Sequence, residues 1–214
     1  MKKHFDQIKN CIDGRGKVTA DANTIKTSIK AAEDLAASLL GTTLSIKGKK
    51  FIIRMLEIYY GGVGDDAHDW YKKRYGSDNS SLINHTDVQN QDGFRIYIKS
   101  LNVSKNYRRN RLDIVVGHAN VPISFLLRSV WDENFNLVGE KNGSPNTVLW
   151  EMDIQPEDHG QIIAWNDPTA SINLEDTQKA VIAQKGLSIR RNRRLNVDSD
   201  FEEIHGLLWN FSLR

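Results

Sequence analysis

The feature that most constrains this chain is the run Phe51-Ile52-Ile53-Arg54-Met55-Leu56-Glu57-Ile58-Tyr59-Tyr60, cut off by Gly61, Gly62 and Gly64. β-Branched and aromatic residues fit a pleated, half-buried surface, and the glycines break the pattern, so the run predicts a strand over 51–60. Further strand-like runs follow at Phe94 to Leu101, Leu112 to Val116 and Pro122 to Val130, the last with a continuous apolar stretch from Ile123 to Leu127. A short strand, Leu44 to Lys47, precedes them, and Gly48 allows a tight turn into the long one. Ahead of these, Ile25, Ile29, Ala32, Leu35, Ala36 and Leu39 recur at steps of three and four, and Gly41 stands where a helix stops; the spacing predicts a helix from Asn23 to Leu40.

The later half is less regular. Residues 132–146 read as a loop, and a polar stretch runs through Pro168. A helix is expected near Leu174 to Ala183, and Ile204, Leu207, Leu208 and Phe211 keep helical spacing in the segment Phe201 to Phe211. Trp131, Trp150, Trp165 and Trp209 are expected to serve the core. Residues 1–22, polar and containing Gly14 and Gly16, read as an N-terminal arm, and 23–214 as the domain proper. The expected fold is a single domain of mixed α/β (α+β) class: a curved, mostly antiparallel sheet with surrounding helices and a protruding hairpin.

Composition narrows the function classes. Of the 214 residues 39% are hydrophobic, enough for a proper core, and a net charge of +2 leaves bulk charge silent about partners. Charge position says more: the tetrad Arg-Arg-Asn-Arg occurs at 108–111 and again at 190–193. The lone cysteine, Cys11, can form neither an internal disulfide nor a cysteine-rich zinc site, which fits a reducing compartment and no structural metal. No apolar run has the length of a bilayer span. No apolar signal-peptide core follows the opening Met-Lys-Lys. A cytoplasmic, nucleoid-associated protein is expected, or a nuclear one if the source is eukaryotic.

The stretch from Arg54 to Tyr71 carries the chemistry. Glu57 and Tyr59 are two apart on a strand and so share a sheet face. After the glycine-rich turn come Asp65, Asp66 and His68, with Trp70 and Tyr71 close behind. A carboxylate, a histidine and several aromatics therefore converge at one strand end. That is equipment for hydrolysing a bond beside an aromatic ring system: a base for water, and flat faces to hold the ring.

Glu57-Ile58-Tyr59-Tyr60-Gly61, followed by Asp66-Ala67-His68, resembles the signature of the alkyladenine (3-methyladenine) DNA glycosylase family. Leu35-Ala36-Ala37-Ser38-Leu39-Leu40-Gly41 resembles that family's preceding helix. Ile96-Tyr97-Ile98, Asp113-Ile114 and Phe125-Leu126-Leu127-Arg128 resemble its later strands in the right order. The resemblance covers roughly residues 30–130 and has no counterpart beyond 135. It implies a monofunctional glycosylase that flips a damaged or modified base out of duplex DNA and leaves an abasic site, with no cofactor or metal, acting as a monomer. It implies that Glu57 activates water, that Tyr59 and Tyr97 sandwich the extruded base with His68 alongside, and that Tyr107 on a DNA-binding hairpin fills the gap in the duplex. Arg108, Arg109, Arg111 and Arg128 would contact DNA. Asp113 stands where the family usually carries asparagine in the base pocket. An ionised carboxylate only accepts hydrogen bonds, so the familiar preference for deaminated adenine is placed in doubt.

Other readings stay open. Glu57 alone reads as a strand-end acid paired with Arg54 or a nearby lysine, Tyr59, Tyr60 and Tyr97 as sheet packing, and His68 as a helix-start residue. Both arginine tetrads read equally as solvated faces. The rival functions are a catalytically silent DNA-binding protein of the same fold, recognising modified or distorted DNA, and an RNA-directed protein.

Overall fold

The computed structural model describes residues 3–4, 7, 22–60, 93–98, 111–117, 123–139, 145–192 and 210–214. Helix α1 (Ala22–Leu39) leads to β1 (Thr43–Ile46) and β2 (Lys49–Tyr60). Lys47 and Gly48, both with positive φ (50° and 75°), form the two-residue hairpin loop between those strands. Next come β3 (Gly93–Ile98), β4 (Leu112–Gly117), β5 (Ile123–Asp132), β6 (Leu137–Val138) and α2 (Pro145–Glu151). A short 3-10 turn (Pro156–Asp158) precedes β7 (Ile162–Trp165), β8 (Ile172–Glu175), α3 (Gln178–Lys185), β9 (Ile189–Asn192) and β10 (Asn210–Leu213).

Among the described residues, the helix and strands of the first half follow their periodicity, and the second half departs from it. The polar stretch before Pro168 contains β7. Leu174 belongs to β8, and the helix starts at Gln178. Phe211 lies in strand β10 rather than in a helix. The expected hairpin tip with Tyr107, Arg108 and Arg109 lies outside the described residues, as do His68, Trp209 and most of the arm. Trp131 and Trp165 do pack against the core.

The class is α+β in one domain, but the sheet is not an open curve. Neighbouring strands run β5–β4–β3–β7–β8–β1–β2, and β2 pairs back with β5, so seven strands close into a barrel. All these pairs are antiparallel except β7–β8, which is parallel. Closure comes from β7 and β8, four residues each, which bridge β3 to β1. It also needs β2 to be paired on both edges: β5 runs along one, and β1 and then β10 occupy the other. A closed sheet leaves no exposed row of unpaired peptide groups within the ring. Strands β10 and β9 extend outward from β2.

One face of these strands is apolar. Leu44, Ile53, Leu56, Ile58, Ile96, Ile114, Phe125 and Phe211 join Leu35 and Leu39 of α1 and Val148 and Leu149 of α2 in a single core. Among the described residues no helix is long and apolar enough to cross a membrane.

The end of α1 shows how distant segments lock together. The last carbonyls of a helix have no partner within it. Here Gln178 Nε2 donates to the carbonyls of Ala37 (2.6 Å) and Leu40 (2.7 Å), and Thr177 Oγ1 donates to that of Gly41 (2.7 Å). Gly41 takes φ +75°, and a Cβ there would stand 3.2 Å from Gln178 Cα, so the approach depends on glycine. Gln178→Ala strips two carbonyls of their donor and should lower unfolding free energy by about 1–3 kcal/mol. Urea unfolding measures this, with an unchanged midpoint counting against the clamp.

Candidate active site

The register of the sheet brings the sequence-predicted residues together. Asn192 of β9, Asn210 of β10, Glu57 of β2, Leu126 of β5, Asp113 of β4 and Tyr97 of β3 stand directly opposite one another, strand by strand. Directly paired residues share a face of an antiparallel sheet. This face is the opposite of the one that builds the core, because the alternate residues Leu56, Ile58, Ile96, Leu112, Ile114, Phe125 and Phe211 point into the core. One row further along, Tyr59, Ser124, Val115 and Arg95 are register partners in turn.

From Asn210 to Tyr97 the row is buried although it is mostly polar. Glu57 is 0% exposed, Tyr97 2%, Asn210 3% and Asp113 6%. A carboxylate withdrawn from water needs charged or hydrogen-bonding neighbours to remain tolerable. Asn210 Nδ2 donates to Glu57 Oε1 at 3.1 Å, and Arg128 Nη1 stands 3.6 Å from Glu57 Oε2. The latter separation is that of an ion pair without a direct hydrogen bond.

A pair of β-bulges delivers that arginine. Ile53 faces Val130, Met55 faces Ser129 and Leu56 faces Leu127, so Arg54 is the extra residue on β2 and Arg128 the extra residue on β5. Between core residues on each strand, two successive side chains are thus turned away from the core, which is what a bulge does. Arg128 does not take the expected position on a DNA-facing surface: it is 8% exposed and sits beside the carboxylate. Arg54, the partner expected for Glu57 on the bland reading, instead donates to Ser129 Oγ (3.0 Å) and lies over the Trp131 ring. Burial, and then the charge of Arg214, lower the Arg54 pKa.

Tyr97 is held from the far half of the chain. Its ring is tilted 56° against that of His159, with centroids 5.2 Å apart. His159 Nδ1 accepts the Ile98 N–H at 3.1 Å. The turn before His159 is tied down by Asp158, which is buried, accepts the Gln155 N–H and pairs with Lys47 Nζ at 2.7 Å. Arg95 Nη1 donates to the carbonyl of Gly160, closing the same loop onto β3.

Among the expected site residues, the structure therefore gathers Glu57, Tyr97, Asp113 and Arg128 in one buried region. For Tyr59 it gives the register position, two residues on from Glu57 and opposite Ser124. Arg111 precedes β4 and is partly exposed. His68, Tyr107, Arg108 and Arg109 lie outside the described residues. Asn210 and His159 were missed. The polar-apolar alternation Asn210-Phe211-Ser212-Leu213 was the available signal for Asn210. Among the described residues no group of three His, Cys, Asp or Glu side chains is arranged to hold a metal ion.

What the arrangement can do chemically follows from its parts. A buried carboxylate, fixed on one oxygen by an amide and faced on the other by a guanidinium, can orient water and take its proton. An aromatic ring and a second acid stand within the same row. Removing one partner of a buried charge pair leaves the other uncompensated. Arg128→Leu should accordingly destabilise the fold by about 3–5 kcal/mol, and adding Glu57→Leu should recover much of that loss. Chemical denaturation of both variants reads this, and a double variant less stable than Arg128→Leu alone contradicts the coupling.

The chain matches no protein-family model, and none of the curated proteins compared with it is similar to it in sequence.

Proposed function

We propose that this protein is a monofunctional DNA glycosylase, hydrolysing the bond between a flipped, damaged or modified base and its sugar. The observation that carries this reading is the buried row itself. Four residues singled out by resemblance in separate segments, Glu57, Tyr97, Asp113 and Arg128, meet on one side of the sheet, away from the core.

In the proposed reaction the base leaves the stack at a cost of a few kcal/mol, least for a damaged or mismatched base. Stacking on Tyr59 and Tyr97, with His68 alongside, offsets part of that cost. Glu57 orients and deprotonates water for attack at the sugar C1′ and stabilises the positive charge that develops there. Arg128 and Asn210 fix the carboxylate. Tyr107 fills the gap left in the duplex, and Arg108, Arg109 and Arg111 follow the phosphates. The water oxygen ends on C1′, its proton passes through Glu57, and the base leaves with the bonding pair.

A second reading is a silent DNA-binding protein. It is favoured by one specific observation: each Glu57 oxygen already has a protein neighbour, Asn210 on one and Arg128 on the other. Single-turnover base release from alkylated and deaminated duplexes separates the two. The wild type should release an alkylated base, and Glu57→Gln should keep duplex binding while slowing release by about 10²–10⁴-fold. Equal rates in the two proteins would falsify the mechanism; binding without release from any duplex supports the silent reading.

Specificity is tested at Asp113. An ionised carboxylate facing a base edge favours an N–H there and repels a carbonyl oxygen, and two opposed acceptors cost on the order of 1–3 kcal/mol. Hypoxanthine should be a poor substrate beside an alkylated or amino-bearing base. Asp113→Asn should raise its relative excision rate by roughly tenfold, a change of about 1.4 kcal/mol within that range. A wild type that already prefers hypoxanthine removes Asp113 from the base edge.

A further inference from the structure

The second arginine tetrad has no place in the mechanism so far. The structure puts Arg190, Arg191 and Asn192 on β9, all of them exposed and next in the sheet to β10. The register divides them between two faces. Asn192 stands opposite Asn210, which stands opposite Glu57; Arg190 stands opposite Ser212, which stands opposite Met55. Arg190 and Asn192 therefore share the face of the candidate active site. Arg191 faces the other way, where its Nη1 pairs with Glu33 of α1 at 3.2 Å and its guanidinium lies over the Phe211 ring.

We infer that β9 is a phosphate-binding rim of this site, with Arg190 as its contact and Arg191 as the anchor that fixes the rim to α1. The inference rests on the nucleic-acid reading of the Glu57 face. Strands lie about 4.8 Å apart, so β9 is about 10 Å from β2. Phosphates recur about every 3.4 Å of axis along one strand of duplex DNA, which puts Arg190 within about three nucleotides of a sugar held at Glu57. Among the described residues Arg190 meets no acid, whereas Arg191 is engaged by Glu33. A guanidinium that is exposed, faces no acid among the described residues and flanks a buried site matches a phosphate in charge and in its forked donor geometry.

Charges on a sheet edge also serve to prevent edge-to-edge pairing. That role is satisfied by either sign of charge, and phosphate binding is not. Arg190→Glu is therefore the informative variant. Its affinity for an undamaged duplex, measured across a salt series, should fall at least tenfold at low salt, and the slope of log K against log salt should flatten by about 0.9, the share of one phosphate contact. Lys185→Glu, a reversal of equal size beside Phe135, should leave the slope at the wild-type value. An Arg190→Glu slope equal to wild type overturns the inference, as does an equal change in Lys185→Glu or a wild-type chain that binds no duplex. The outcome separates from that of the proposed reaction. Base release by the wild type with no effect of Arg190→Glu on binding leaves the glycosylase reading standing without the rim. A lost slope with no release from any duplex leaves the rim standing without the glycosylase.

Discussion

Strand β2 is the member on which the rest depends. It is twelve residues long, and every part of it is committed to a neighbour: β5 along one edge, β1 and β10 in succession along the other. Its core side carries Ile53, Leu56 and Ile58, and its opposite side carries Glu57. One element thus closes the barrel, anchors the hydrophobic core and presents the buried carboxylate of Glu57. The paired bulges at Arg54 and Arg128 relieve this crowding, since each adds one side chain to the face opposite the core without shifting the core residues out of register.

The carboxylate is expensive where it stands. Paired buried charges are often no more stabilising than an apolar replacement, while a broken pair is costly. The cluster of Glu57, Arg128 and Asn210 is therefore poorly explained as a stabilising device, and the proposed hydrolysis would give such an arrangement a purpose. Side chains on paired strands are held more closely than side chains on loops, so the barrel fixes the spacing of Glu57, Asp113 and Tyr97.

How much of this was legible depended on run length. The helix α1 and strands β2 to β5 are long enough for periodicity to speak, and the glycines after Tyr60 mark where β2 loses its pattern. Glu57, Tyr97 and Asp113 lie in those segments, and resemblance to the glycosylase signature singled them out as candidates. Their common row could not be read, because register is fixed by pairing between segments far apart in sequence. Closure of the barrel was hidden in β7 and β8, where four residues are too few to display alternation. Asn210 was hidden for a different reason. Leu207, Leu208 and Phe211 keep helical spacing, and that period outweighed the alternation from Asn210 to Leu213 that the sheet uses; residues 201–209 lie outside the described residues.

The order of pairing in the barrel has a consequence for how the molecule comes into being. β2 is synthesised well before β10, which completes one of its edges, and α1 well before Thr177 and Gln178, which close it off. Contacts spanning most of the chain make folding slow, since loop closure must precede the reward. They also mean that a ribosome-bound chain holds Glu57 without the amide that fixes it. Assembly of the carboxylate's surroundings is thereby tied to the pairing of β10 with β2, two strands about 150 residues apart in the chain.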